Sequence, residues 1–224
     1  MSRRPTRPRP RGRPSNANPA ARDDLLDAAI ALFAQHGVAA TTLAQVAGKV
    51  GVTPAMVHYY FRNRDQLVDA VVEERLARVA VYIWGAVDQS ERDPLALVTG
   101  IVHRFVEAAE AAPWLPSLWI REVVNESGLL RQRIVQRLPM EKFKHIGDTI
   151  TAAKRKGTVS ADIDPVLIIV SIVGLSLLPL ATSSVWRRFP GAGPIGSDAL
   201  VRHVTALLHG GLAKQRGRST PRRK

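Results

Sequence analysis

The side chains able to do covalent or metal chemistry are few and badly placed for it. Histidines 36, 58, 103, 145, 203 and 209 are scattered and form no His-x-x-x-His pair, so a helix-borne catalytic metal site is not expected. There is no cysteine, which excludes disulfides, thiolate zinc sites, iron–sulfur clusters and thiol nucleophiles. Gly-x-Ser-x-Gly, Ser-x-x-Lys and P-loop patterns are absent. Gly191 to Gly196 matches the dinucleotide fingerprint in letters, but no strand signal precedes it and Pro194 interrupts it. About twenty residues on, where an acid is required, stands Arg216, so the stretch reads as a loop. Neither an enzyme nor a cofactor is expected, and what remains is the chemistry of cations.

The chain has 224 residues, with 32 Lys+Arg against 19 Asp+Glu and a net charge of +13. Six arginines (3, 4, 7, 9, 11, 13) fall in residues 1–19 and six further cations in residues 214–224, with no acid in either stretch. The centre keeps 20 cations against all 19 acids and is close to neutral, so the basicity sits in two tails whose natural partner is a polyanion. Residues 1–19 are expected to form a disordered basic arm, because five prolines prevent the amphipathic helix of a transit peptide. Ser2-Arg3-Arg4 lacks the apolar run that a twin-arginine export signal needs, so export is not expected. Residues 214–224 read as a second basic disordered tail. Pro165 to Trp186 is uncharged for 22 residues, but its polar and Pro interruptions favour a helix buried against another helix or subunit over a membrane span.

Strand signals are nearly absent while helical spacing and cap signatures recur, so an all-α fold of about nine helices is predicted. The first runs from about Ala20 to His36 and ends at Gly37; Thr42-Leu43-Ala44-Gln45 is a capping box, and Gly51 stops the short helix it opens. Thr53-Pro54 opens a third helix to about Tyr60, and Asn63 caps a fourth expected to reach Gln89. Further helices are expected over 93–112, 113–126, 128–156 with a kink at Pro139, 165–181, and 197–212 capped by Ser197. Two helical units follow, 20–66 with three short helices and 67–213 with the rest.

The second and third helices fit a helix-turn-helix. Val46, Ala47, Val57 and Phe61 would face inward and Val52 would plug the turn, leaving Thr53, Ala55, His58 and Tyr59 on the outer face toward a DNA major groove. The stretches Leu25 to Gly37, Thr41 to Ala47, Gly51 to Pro54 and His58 to Leu67 closely resemble, at matching spacing, the DNA-binding domain of the TetR (tetracycline-repressor) family. Motif and resemblance together imply that the unit 20–66 binds DNA and that 67–213 is a regulatory and dimerisation unit. The resemblance implies a dimeric, cytoplasmic, ligand-responsive repressor on a palindromic operator, with the helices near 165–181 and 197–212 pairing across the dimer. It also implies that Thr42 contacts phosphate, that Thr53, Ala55 and Tyr59 face base edges, and that Arg62 and Arg64 hold the backbone. The chain has His58 where the family usually has Tyr, which leaves that phosphate contact open. No Lys or Arg lies on the third helix itself, so specificity would lean on apolar contacts and DNA shape. Pro10-Arg11-Gly12-Arg13-Pro14 resembles the core of the AT-hook, which would place Arg11 and Arg13 in an A/T-rich minor groove; plain phosphate attraction is the alternative.

For an unknown small-molecule effector, the large side chains of the middle helices are the candidates: Phe105, Trp114, Trp119, Met140 and Phe143, with His103, Arg104 and Glu122 as polar anchors. Core packing is the competing explanation for each. The alternative function is a helical interaction or membrane-surface protein that uses its basic tails.

Overall fold

The computed structural model describes residues 19–85, 87–88, 90–193 and 195–213, and every regular element of more than an isolated bridge among them is a helix. The expected all-α class holds. The N-terminal elements are α1 (Pro19–His36), α2 (Leu43–Val50), α3 (Pro54–Tyr60) and α4 (Arg64–Val71). A π turn at Val72–Leu76 joins α4 to α5 (Ala77–Trp84). Then follow α6 (Pro94–Ala111) and α7 (Leu115–Trp119), the latter running into a second π turn at Ile120–Val124. The remainder are α8 (Arg131–Val135), α9 (Met140–Arg155), α10 (Pro165–Ala181), α11 (Ser183–Trp186) and α12 (Ser197–Leu212).

Three expectations fail here for local reasons. The helix after Asn63 stops at Trp84 rather than Gln89, with Gly85 at its C-cap. The helix expected over 128–156 is two, because Pro139 breaks it and becomes the residue before α9. Ser197 does not cap α12: Gly196 occupies that position, and the Ser197 hydroxyl donates to Glu110.

Two apolar cores result. In the first, Leu25, Leu26, Ile30 and Phe33 of α1 meet Val46, Ala47, Val57, Phe61, Leu67 and Val71. It continues to Val72, so the domain boundary expected at residue 66 falls inside a helix whose first half belongs to this core. In the second, α6 is the hub, with Val98, Ile101, Val102 and Phe105 packed against α5, α9, α10 and α12. Val159 forms a single bridge with Ala213, and the Ser160 amide donates to Leu212 O at 2.9 Å, which fastens the end of α12.

The cores are stitched together at α7 and the turns after it. Leu118 and Leu130 are buried in the first core, and half-buried Trp114 packs against both. The Glu122 side chain is buried at 4% exposure; its Oε1 accepts from the Val38 amide at 2.8 Å and its Oε2 from the Leu129 amide at 2.9 Å. Val38 follows the left-handed Gly37 (φ 85°) that ends α1, so one carboxylate holds the first helix of the N-terminal core to the π turn of the other. On the opposite side of α1, Arg22 pairs with Glu74 through two 2.6 Å contacts and Arg75 bonds Asp23 and Asp27.

Truncating the bridge exposes its cost. Glu122→Ala leaves the buried Val38 amide without its acceptor and should lower stability by about 1–3 kcal/mol, read from the denaturant midpoint. A loss inside about 0.5 kcal/mol, the range of ordinary surface substitutions, would show that the carboxylate contributes little to holding the two cores together.

Candidate nucleic-acid interface

Local chemistry sets the two helices at a fixed angle. Thr42 caps α2 by accepting from the Gln45 amide at 3.2 Å, and the Gln45 side chain accepts from the Thr42 amide at 2.7 Å, which makes the predicted capping box reciprocal. Gly51 ends α2 in the left-handed region at φ 75°, a conformation that is costly for a residue with a Cβ, and the Val52 amide returns to Ala47 O at 3.0 Å. The chain then reverses into α3, with Pro54 in the first turn.

Burial fixes the orientation of α3. Val57 and Phe61 are inaccessible in the core, and Thr53, Ala55, His58 and Tyr59 all lie exposed on the other side. Tyr59 is 70% exposed and meets Tyr60 edge-on with ring centroids 5.2 Å apart. Thr53 is exposed and its hydroxyl oxygen accepts no cap hydrogen bond from the helix end. His58 Nδ1 lies 3.4 Å from Arg62 O, a weak contact that leaves the ring at the surface. Beyond α3, the Arg62 amide donates to Gln66 Oε1, and Asn63 Oδ1 accepts from the Gln66 amide, as its predicted capping role requires. The Arg62 side chain is exposed, while Arg64 is half-buried with Nε and Nη2 shielded from solvent and without a hydrogen-bond partner in the structure. Thr42 is exposed at the N-terminus of α2, and exposed Lys49 in its last turn is a further cation on this helix that the sequence reading did not single out. Thus Thr42, Thr53, Ala55, His58, Tyr59 and Arg62 belong to the exposed part of one helix-turn-helix, with polar and methyl groups suited to phosphate, base edges and the thymine methyl. Arg11 and Arg13 lie outside the described residues, as do the rest of 1–18 and 214–224.

The eight residues expected to surround an effector are not gathered around one cavity. Phe105 and Phe143 pack edge-on against Trp84, with centroids 5.6 and 4.6 Å away, and Trp114 and Trp119 are half-buried against the cores. Met140 is 57% exposed, and His103 lines a separate shallow hollow with Asp198 and Arg202. Arg104 is spent on Tyr82, through its carbonyl and ring face. Glu122 is committed to two backbone amides, one on each oxygen. A cavity of about 480 Å³ lies instead between the π turn with α5 and α8–α9, walled by Val72, Leu76, Ala80, Trp84, Ile134 and Leu138, with Glu73, Arg137 and Lys142 among its polar lining. Two features of the sequence hinted at it: small Ala77 and Ala80 on one side and the helix-breaking Pro139 on the other.

Comparison with known proteins agrees with this geometry. The family model described as bacterial regulatory proteins, tetR family, matches residues 25–71. The HTH-type transcriptional repressor KstR2 of Mycolicibacterium smegmatis is 25% identical over 199 residues, 88% of this chain and 92% of that protein. The HTH-type transcriptional regulator BetI of Brucella anthropi is 30% identical over 107 residues, 48% of this chain and about half (55%) of the relative. Among solved structures, the ketosteroid transcriptional regulator KstR2 of Mycobacterium tuberculosis superposes with a TM-score of 0.68 at 21% identity, covering 89% of this chain and 98% of that one, a likeness of fold. With its helix-turn-helix presented to solvent and residues 25–71 matched by the family model, the chain is a DNA-binding regulator whose N-terminal unit is similar to that of the tetR family.

Proposed function

We propose that the protein is a cytoplasmic, homodimeric, ligand-responsive repressor that reads a palindromic operator. The observation that carries the reading is the outward face of α3, where Thr53, Ala55, His58 and Tyr59 are exposed while Val57 and Phe61 are locked inside. Repression is favoured over activation by the name of the KstR2 relative, which aligns over most of its length. Ligand response is favoured by the cavity beside the helix that follows α3. Arg11 and Arg13 are proposed to add minor-groove or phosphate contacts beside the half-site.

Dimerisation is supported by α10. Its residues Val166, Val170, Gly174 and Leu178 recur every four positions and are all exposed, as is Leu167, and α12 beside it exposes Leu207. An apolar stripe of this kind on a soluble domain calls for a partner, and a second copy supplies an identical stripe. Leu175, by contrast, packs toward the core, so it is not the residue with which to probe the interface. Among the described residues no helix is long and apolar enough to cross a membrane, and the alternative of a membrane-surface protein rests on basic tails that lie outside those residues. In the dimer the two α3 helices would lie about 34–36 Å apart, one turn of B-DNA.

Two variants test the reading. Tyr59→Ala should reduce discrimination between operator and random DNA by about 1–3 kcal/mol while keeping the salt slope, and Arg62→Ala should weaken both DNAs alike and make the slope shallower by about one. Equal losses from both, measured by fluorescence anisotropy across a salt series, would mean that α3 is not the reading helix. Val170→Arg should convert the dimer to a folded monomer in sedimentation velocity; a variant still dimeric at micromolar concentration would remove α10 from the interface.

A further inference from the structure

We propose that the cavity between the π turn with α5 and α8–α9 binds an anionic amphiphile, an apolar chain whose terminal carboxylate lies against Lys142. This deepens the ligand-responsive reading given above and rests on it only for the consequence at DNA. Its volume of about 480 Å³ falls in the range of small-molecule sites, about 300–1,000 Å³, and its walls are hydrocarbon except at two ends. At one end Arg137 Nε donates to Glu73 Oε1 at 2.8 Å, so those charges are paired; at the other, past the end of α5, Lys142 has no carboxylate within ion-pair distance among the described residues.

Half-buried Lys142 donates to Val87 O at 2.8 Å and keeps two ammonium protons for other acceptors. Neighbouring Asp88 is exposed; hydrogen bonds from Ser90 hold its carboxyl below the ordinary value, and His145 and Lys142 act on it only as weaker, more distant charges. A partly desolvated ammonium beside hydrocarbon walls is costly unless an anion joins it. A neutral apolar ligand leaves that cost in place, and a cationic one adds repulsion from Lys142. A carboxylate supplies the missing anion and leaves the remainder of the ligand for Leu76, Ala80, Trp84 and Leu138.

The same site reaches the DNA-binding helices. Asp65, Asp69 and Glu73 are spaced by four along the helix that follows α3, and Arg133 and Arg137 of the opposite wall meet them, Arg133 on Asp69 at 2.7 Å and Asp65 at 3.6 Å, Arg137 on Glu73. An apolar chain anchored at Lys142 would run along α5 toward the Glu73–Arg137 rung of this ladder. The π turn at Val72–Leu76 lines the cavity and is a wide turn of the kind that recurs at functional sites.

The test uses the full-length protein without DNA, titrated calorimetrically with dodecanoate and with dodecanol below their micellar or solubility limits. Dodecanoate should bind about tenfold more tightly than dodecanol or better, Lys142→Met should bring the two within about threefold of each other, and Ala80→Trp should weaken both by about tenfold. Should Ala80→Trp lose its helical circular dichroism, quenching decides: 11-bromoundecanoate should quench tryptophan emission in the wild type and markedly less in Trp84→Phe. Equal affinity for acid and alcohol, binding undiminished in a folded Ala80→Trp, or quenching unchanged by Trp84→Phe would each overturn the proposal. If binding follows the expected pattern but saturating dodecanoate leaves operator affinity unchanged, the site stands and the ligand-responsive reading fails; a loss of specific DNA binding without ligand would leave the titration untouched.

Discussion

Everything at the DNA face depends on the burial of Val57 and Phe61 against α1. A seven-residue helix has too few internal hydrogen bonds to persist alone in water, and α3 exists because those two side chains are driven into a core already organised by Leu25, Leu26, Ile30 and Phe33. The same burial decides its rotation: with positions 57 and 61 inside, 55 and 59 must face out. Gly51 sets the angle between α2 and α3, and Thr42 with Gln45 keeps the N-terminus of α2 from fraying beside the place where phosphate would lie. Recognition is thus a by-product of packing, since the outward residues are those the core has no use for.

A regulator must also transmit, and the structure joins its halves by a few specific contacts. Trp114 touches both cores, Leu118 and Leu130 are donated to the first, and Glu122 ties the end of α1 to a π turn. The helix from Arg64 to Trp84 belongs to both, its first half in the N-terminal core and its second in the C-terminal one. The two ends of α1 are clamped to different elements, by Arg22–Glu74 near the start and by Glu122 at the finish.

The parts legible in the sequence were those written locally. The Thr42–Gln45 box, the Asn63 cap, Asp93-Pro94, Asp164-Pro165 and Gly51 each place a helix end by short-range hydrogen bonding or backbone conformation, and all stand where their chemistry puts them. The outward set on α3 followed from helical periodicity once the inward pair was known. What the sequence hid depends on contacts distant along the chain. Glu122 looked like a ligand anchor, yet its partner Val38 is 84 positions away. Phe105 and Phe143 looked like a pocket but close on Trp84, while the actual cavity is walled by the helix that leaves the DNA-binding unit and by residues around Pro139. Neither π turn carries a composition that marks it. The spare apolar face of α10 is the intermediate case, because its uncharged run was evident and only the fold separates the exposed stripe from the half that packs on α6.

The central claim is that α3 and its copy in a second protomer read one symmetric DNA site. Nuclease footprinting of the full-length protein on the DNA flanking its own gene tests it directly, in parallel with a stoichiometric titration. The account predicts a single protected palindrome with half-sites about one helical turn apart, occupied by one dimer and retained against excess random DNA. Protection spread evenly along the fragment and abolished by competitor would contradict it, leaving a basic protein held to DNA by charge alone.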